Sequence, residues 1–338
     1  MEGHVSMAVR HDEQLKEIWS FLKNHGGNHI SHLSFLNDKQ IYWAENKRVL
    51  IIYQKIGNKL TVLGDPIGEE KLISKGIEEF RSYCLRTGFK PVFYQVSPRY
   101  LPEYEKQGLR FVKLGEEARL YLPNFTLAGK KGAKLRTRKN KFEKQGYTFQ
   151  VLIPPHSEEF LRELKEISDS WLGKRNEKGF SVSFFCENYL NHFPVAIIKN
   201  PEGKTIAFAS LACNQNQKER TLTIDLMRYL QESPHGTMDF LFLSIFNWCK
   251  EQNYEWCSMG MSPLAYIKES NEAKWFELIG HFIFHNGNYF YNFKGLHEYK
   301  NKFKPEWESR YLVYQSRSLP LLILHIIRLI HKRNKASY

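Results

Sequence analysis

The sequence predicts a mixed α/β fold in which one order of elements is written twice, with a cationic helix at the joint. Three observations carry this. Short runs rich in β-branched and aromatic residues, closed by Gly, Pro or Asn turns, alternate with helical apolar spacing along most of the chain. The same order returns after residues 123–132, where Pro123, Gly129 and Gly132 cluster. Between the two halves lies the stretch GKKGAKLRTRKNKFEKQ, residues 129–145, which supplies +7 of the formal net charge of +13.

In chain order, residues 11–24 read as an amphipathic helix (Leu15, Ile18, Trp19, Leu22) ended by Gly26-Gly27. Residues 41–43 and 48–56 are predicted strands, and Gly57-Asn58 turns the second into a strand over 60–63. The loop Gly64-Asp65-Pro66-Ile67-Gly68 then opens a helix over 70–86. A strand at 91–96, a short helix at 98–107 and a closing hairpin over 109–122 complete the first half. The basic stretch suits a helix from Gly132 to Gly146, with Lys134, Arg138 and Lys141 on one face and Leu135 and Phe142 opposite. The second half reads strand 147–153, helix 158–172, strands 195–198, 205–213 and 221–229, loop 231–236, helix 237–251, strand 255–259 and helix 271–279.

Each half therefore has antiparallel strands, a Gly-containing loop, a helix, a strand and another helix. That is the element order of GNAT superfamily acyltransferases. The expected fold class is α/β (α+β), two tandem GNAT-like acyltransferase folds joined by a basic helix. The expected divisions are an N-terminal helix (1–26), a first unit (27–128), the connecting helix (129–145), a second, catalytic unit (146–315) and an apolar, basic C-terminal helix (316–338).

Composition narrows the class. Hydrophobic residues make up 42% of the 338 and aromatics 14%, enough for packed cores. A pI near 9.3 points to an acidic partner such as nucleic acid or anionic lipid. The five cysteines form no CxxC pair and sit mostly in apolar surroundings, as free thiols of a reducing compartment do. No signal segment and no run of about 18–20 apolar residues is present. The nearest candidate, LPLLILHIIRLI at 319–330, is interrupted by His325 and Arg328. It reads equally as a helix packed on the domain or as one lying on anionic lipid.

An acetyl-CoA enzyme of this fold carries a Q/R-x-x-G-x-G/A loop whose amides hold the pyrophosphate. The loops here read GDPIGEE and QESPHGTM, so an activated acyl donor other than acyl-CoA is expected. Asp225 stands among Leu222, Ile224 and Leu226 on a core strand, where a carboxylate is either paired or functional. Alternation puts Arg228 on the opposite face unless a bulge intervenes, and a structural Asp225–Arg228 ion pair is an equal alternative. Glu272 falls in the first turn of a predicted helix, and Lys300 and Lys302 alternate with aromatics. His29 and His32, near Asp38, lack a third ligand at metal spacing and read as capping or packing residues. No G-x-S-x-G elbow is present, and Cys213 and Cys257 have no evident histidine partner. The cationic stretch, with acids nearly absent, is read as a polyanion contact in preference to a solvated face.

Taken as an ordered set, several segments resemble the catalytic part of the multiple peptide resistance factor family, the aminoacyl-phosphatidylglycerol synthases. They are GGNHISHLSFL, VLGDPIG, the basic segment ending NKFEKQGYTF, SDSWL with GFSVSFF, DLMRY, GMSPL, NEAKW and NFKGLHEYKNKFKPEWESRY. The lysyl-transferring subtype is the nearer likeness. The resemblance implies kinship with Fem-type aminoacyltransferases, lysyl-tRNA as donor, phosphatidylglycerol as acceptor and an anionic membrane surface as partner. The place implied is the cytoplasmic face of the cell membrane. A multi-pass flippase region precedes the domain in full-length members, and no segment here matches it. The product, lysyl-phosphatidylglycerol, lowers membrane negative charge and confers resistance to cationic antimicrobial peptides.

By motif, Asp225, Arg228, Glu272 and Lys300 or Lys302 are implied as catalytic. Asp225 would orient the attacking hydroxyl or take its proton, and Arg228 would fix that carboxylate or the lipid phosphate. Glu272 or Asp239 would bind the lysyl ammonium, and Lys300 would stabilise the oxyanion or a terminal tRNA phosphate. Trp171 of SDSWL and Ser262 of GMSPL are carried as aminoacyl or lipid positions. Lys130, Lys131, Lys134, Arg136, Arg138 and Lys141 would contact tRNA phosphates without reading sequence. One ester replaces another, so no metal, ATP or other cofactor is expected. The rivals are alanyl transfer, a Fem-type transfer to a peptidoglycan precursor, an acyl-CoA transferase, and a non-catalytic module binding tRNA or membrane.

Overall fold

Residue alternation along the strands decides how the sheet is buried. In VLIIYQKI, Val49, Ile51 and Tyr53 enter one core while Leu50 and Ile52 enter the other, the period-2 pattern of a strand covered on both faces. The computed structural model describes residues 2–213, 219–263, 293–315 and 318–331. These form α1 (Glu2–His25), β1 (Gln40–Ala44), β2 (Val49–Ile56), β3 (Lys59–Leu63), β4 (Ile67–Gly68), α2 (Ile73–Arg86) and β5 (Lys90–Val96). After them come α3 (Leu101–Lys106), β6 (Arg110–Tyr121), the basic helix α4 (Gly129–Lys144), β7 (Thr148–Leu152), α5 (Glu158–Leu172) and α6 (Glu187–Leu190). The remainder is β8 (Val195–Lys199), β9 (Thr205–Cys213), β10 (Thr221–Tyr229), α7 (Thr237–Glu251), β11 (Trp256–Pro263), α8 (Phe293–Asn301), β12 (Glu306–Tyr314) and α9 (Leu319–His331).

The strands join into one sheet in the order β1-β2-β3-β5-β12-β6-β11-β10-β9-β8-β7, with β4 beside β2. Two neighbouring pairs are parallel, β3 with β5 and β10 with β11, one in each half. Between them lie β12 and β6, and these two are exchanged. The last strand of the chain pairs with β5 of the first half, and β6 of the first half pairs with β11 of the second. The two halves are thus fused through shared strands, not strung on a linker.

That exchange corrects one expectation. The predicted hairpin over 109–122 is a single twelve-residue strand. Both flanks of β6 are filled from far along the chain, so it needs no local partner. β12 itself was not read from the sequence, because Glu306, Glu308 and Arg310 hide its pattern. The basic helix runs Gly129–Lys144, so it fills the expected 129–145 stretch and begins ahead of Gly132. At Gly132 a Cβ would lie 2.2 Å from the Leu127 carbonyl oxygen, so only glycine admits that close approach. Helix α9 packs inward with Leu322, Ile323, Ile326 and Leu329. Among the described residues no helix is long and apolar enough to cross a membrane, and all five cysteines are free thiols.

Candidate functional site

At the parallel pair β10/β11, register holds through Thr223↔Ser258 and then fails. β10 bulges between Ile224 and Met227, and β11 bulges between Ser258 and Met261. The strands part at their carboxyl ends, where open α/β sheets place ligands. In the first half the corresponding gap between β3 and β5 is filled from within. Asp65 accepts the Ser97 amide at 2.8 Å and the Tyr104 hydroxyl at 3.3 Å.

The gap at β10/β11 opens into a cavity of about 380 Å³. Its walls are largely apolar, with Leu33, Leu114, Met227 and Met259 on one side and Ile323, Ile326, Ile327 and Ile330 of α9 on the other. The polar groups that reach it include His29, His32, Lys178, Asp225, Arg228 and Lys300. An apolar pocket with a few convergent polar groups is the usual form of a small-molecule or lipid site.

Asp225 occupies the β10 bulge. Its Oδ1 lies 3.5 Å from His32 Nε2, and its Oδ2 accepts the Tyr189 hydroxyl. Burial alone would push this carboxyl up, but the His32 charge and hydrogen bonds from His32, Tyr189 and Ser183 outweigh it and hold Asp225 below its ordinary value. The same bulge lets Arg228 reach the cavity, which strict alternation forbids. Arg228 is not the partner of Asp225, and the Asp225–Arg228 ion pair weighed as an alternative is not formed. Its Nη2 donates to Glu177 at 3.0 Å and its guanidinium stacks on Trp171 at 4.1 Å.

Lys300, on α8, is 4% exposed and donates to the carbonyls of Gly260 (2.9 Å) and Met261 (3.1 Å). Burial lowers it to about 7, against the opposing pull of Glu117. Gly260 has φ +77° at the β11 bulge, and a Cβ there would sit 4.0 Å from Lys300 Nζ. Of the two candidate lysines, Lys300 faces the cavity. Lys302 points elsewhere, to Asp239 Oδ1 at 3.4 Å.

Beneath the bulge is a largely buried cluster that the sequence did not reveal. Glu117 of β6 accepts from Ser258 Oγ and from Arg310 of β12, with His29 Nδ1 at 3.9 Å. Ser258 Oγ in turn accepts the Gly260 amide at 3.2 Å, which ties the carboxylate to the bulge. Burial raises Glu117, but the charges of His29 and Arg310 with the Ser258 and Arg310 hydrogen bonds reverse this and leave it at about 2. His29 is itself driven to about 4, chiefly by burial. At neutral pH the guanidinium of Arg310 is therefore the cation that holds Glu117.

Several expected binding residues are occupied otherwise. Asp239, 2% exposed at the start of α7, pairs with Arg138 and Lys302 and does not line the cavity, so it is not free for an ammonium ion. Arg138 is correspondingly engaged within the protein, as an ion-pair partner of α7. Arg136 donates to the Leu127 and Gly129 carbonyls at the start of its own helix. Lys130, Lys131, Lys134 and Lys141 are exposed. No α4 residue lines the cavity; α8 stands between, with Lys300 toward the cavity and Tyr299 toward Asp239. Trp171 has Arg175 and Arg228 over its ring at 4.0 and 4.1 Å, so its indole is engaged by two cations of the protein itself. Ser262 is buried off the cavity wall, its Oγ without a hydrogen-bond partner among the described residues. Glu272 and the predicted helix at 271–279 lie outside the described residues.

His32 and Tyr189 are the site residues that sequence reasoning missed. His32 lies in a buried 3₁₀ turn, Ser31–Leu36, whose apolar pattern made packing the better reading. The signal present was its place in GGNHISHLSFL, a segment of the recognisable set. Among the described residues no cluster of three metal-ligating side chains occurs.

Residues 19–314 match the family described as phosphatidylglycerol lysyltransferase, C-terminal. The chain is 44% identical over 319 residues to a phosphatidylglycerol lysyltransferase of Bacillus subtilis (strain 168), covering 94% of this chain and 37% of that relative. It spans little more than a third of the length of such curated relatives. Among solved structures, L-PGS from Bacillus licheniformis superposes with a TM-score of 0.87 at 43% identity, covering 94% of this chain and 97% of that one. FemX shares the fold, with a TM-score of 0.57 at 10% identity over 90% of this chain and 96% of its own.

Proposed function

This chain belongs to the phosphatidylglycerol lysyltransferase, C-terminal, family, and from that premise we propose that it transfers lysine from lysyl-tRNA to the glycerol hydroxyl of phosphatidylglycerol. The observation that carries the reading is the convergence of Asp225, His32 and Lys300 on bulged strand ends, at the polar end of an apolar cavity. A lipid headgroup placed there would have its tails in a medium of their own polarity.

In the reaction, the glycerol oxygen attacks the carbonyl carbon of the ester between lysine and the tRNA ribose. The hydroxyl proton passes to a base as the new carbon–oxygen bond forms. Asp225, held below the ordinary carboxylate range, is a weak base and a good hydrogen-bond acceptor. We assign it to orienting the hydroxyl and the imidazole of His32, and assign proton acceptance to His32. Collapse of the tetrahedral intermediate breaks the bond to the ribose oxygen, which takes the proton back. Two of the three ammonium protons of Lys300 are used by carbonyls, and the third is available to the oxyanion. Transesterification of this kind needs neither ATP nor a metal.

The exposed lysines of α4 would hold tRNA phosphates. The second unit would be the catalytic one, with the first unit contributing His32 to its site. Operation at the cytoplasmic face of the membrane, beside a flippase region in the full-length protein, is part of the same proposal and is supported by the five free thiols. The test is direct: purified chain, vesicles containing phosphatidylglycerol, and tRNA charged with labelled lysine or alanine, read by lipid extraction. Label entering the lipid from lysyl-tRNA supports the reading. Label from alanyl-tRNA alone would reassign the amino acid, and none from either donor would sink it. Asp225→Ala should abolish transfer while tRNA binding persists.

A further inference from the structure

A second cationic feature lies outside this site, where the β2–β3 hairpin meets α9. An open cleft of about 770 Å³ is lined there by Lys55, Ile56, Gly57, Arg328 and His331. Lys59, 4% exposed, sits under the same helix, and among the described residues its ammonium reaches the Asn58 amide oxygen (3.0 Å) and His325 Nδ1 (3.3 Å). Lys90 stands beside Lys59 in the parallel register of β3 and β5. Lys55 rests over the Phe89 ring at 4.4 Å. None of Lys55, Lys59, Lys90 and Arg328 has a carboxylate partner among the described residues. Burial together with Lys90 lowers Lys59, and burial together with Lys59 lowers His325, so the cations of this patch oppose one another. Cations from four elements gathered at or beside one cleft, with no acid among the described residues to neutralise them, leave a place for an anion.

The chemistry beside the cleft selects the source of that anion. Leu321, His325 and Arg328 follow one another along one side of α9, and Leu321 is 52% exposed. A polynucleotide phosphate has no use for an exposed leucine, whereas a phospholipid surface takes both the alkyl group and the cation. His331 also lines the catalytic cavity, so the cleft adjoins it at the end of α9.

We infer that the cleft between the β2–β3 hairpin and α9 seats the phosphate of an anionic phospholipid, docking this edge of the protein on a membrane with the cavity beside the bilayer. This builds on the lipid-transfer reading but is tested without the donor. In flotation with vesicles of phosphatidylglycerol and phosphatidylcholine, the whole chain should bind, and pure phosphatidylcholine or high salt should release it. The Lys55→Gln/Arg328→Gln double variant removes two exposed cations that lie off the catalytic cavity, and should weaken vesicle binding roughly tenfold to thirtyfold. Leu321→Ser should weaken it further. Transfer to detergent-dispersed phosphatidylglycerol and affinity for uncharged tRNA should be unchanged in the double variant.

Unchanged vesicle binding by the double variant, with its melting temperature intact, overturns the proposal. So does a loss of tRNA affinity in place of vesicle affinity, which would make the patch a nucleic-acid surface. Binding of inorganic phosphate without any binding to vesicles overturns it as well. A chain that floats with anionic vesicles yet transfers no lysine would refute the enzymatic reading and leave this one standing.

Discussion

In the proposed mechanism Asp225 and His32 divide two tasks that one carboxylate performs poorly. A carboxylate buried with a hydroxyl and an imidazole donating to it is stabilised as the anion, so it aims a proton donor well and accepts a proton badly. His32→Gln should lower kcat by about 10²–10⁴ with KM for the lipid nearly kept, the range expected for losing a positioned base. A fall in tRNA affinity instead would show His32 to be structural. Lys300 sets the other limit. With its folded value near 7 it is only partly cationic at neutral pH, and the cation is the form that holds an oxyanion. The rate should therefore decline on the alkaline side with a midpoint near pH 7. Stability should move oppositely: between about 7 and the unfolded lysine value of about 10.4 the unfolded chain binds more protons, so raising pH stabilises the fold. A rate profile flat from pH 6.5 to 8.5 would remove Lys300 from the oxyanion role.

At the scale of elements, the site exists because two adjacent strands bulge at the same level. The β10 bulge turns Asp225 and Arg228 toward one cavity, and the β11 bulge presents two carbonyls to Lys300. The basic helix has a divided role. Arg136 and Arg138 are used internally, and Lys139 is paired with Glu143. Lys130, Lys131, Lys134 and Lys141 remain exposed, and if they hold phosphates as proposed, changing all four to Gln should weaken tRNA binding across all sequences. The salt slope should also become shallower, by roughly one for each phosphate that is no longer neutralised. An unaltered slope would mean that tRNA docks elsewhere. Adding Arg138→Gln to that set would confuse the result, because it leaves Asp239, already 2% exposed, short of a partner.

Across the whole molecule, the exchanged strands β6 and β12 make the two units one folding body. Their shared cluster, Glu117 with Arg310, is nearly sealed from water and supports the floor of the site. Arg310→Met leaves a buried carboxylate without its guanidinium and should cost about 3–5 kcal/mol of stability. It should do so as one cooperative transition, read by thermal melting; two separated transitions would contradict the fused sheet. In the unaltered protein Glu117 lies near 2 when folded and about 4.3 when unfolded. Its contribution is therefore complete above the unfolded value and is lost as pH falls toward 2.

What the sequence determined by itself was local and compositional. Apolar periodicity, turn dipeptides and caps placed helices 158–172 and 237–251 and strands 205–213 and 221–229 where the structure has them, because neighbouring residues decide those features. The ordered motifs pointed to Asp225 and to the pair of lysines. Tertiary structure alone decided which groups meet. It put β6 between two distant strands, brought His32 to Asp225 across 193 positions of chain, turned Lys300 toward the cavity and Lys302 toward Asp239, and gave Arg138 and Asp239 to each other. The physical reason is that pairing and desolvation are settled by what arrives from elsewhere in the chain. A charged side chain reads the same in a sequence whether it finds water, a ligand or a buried partner.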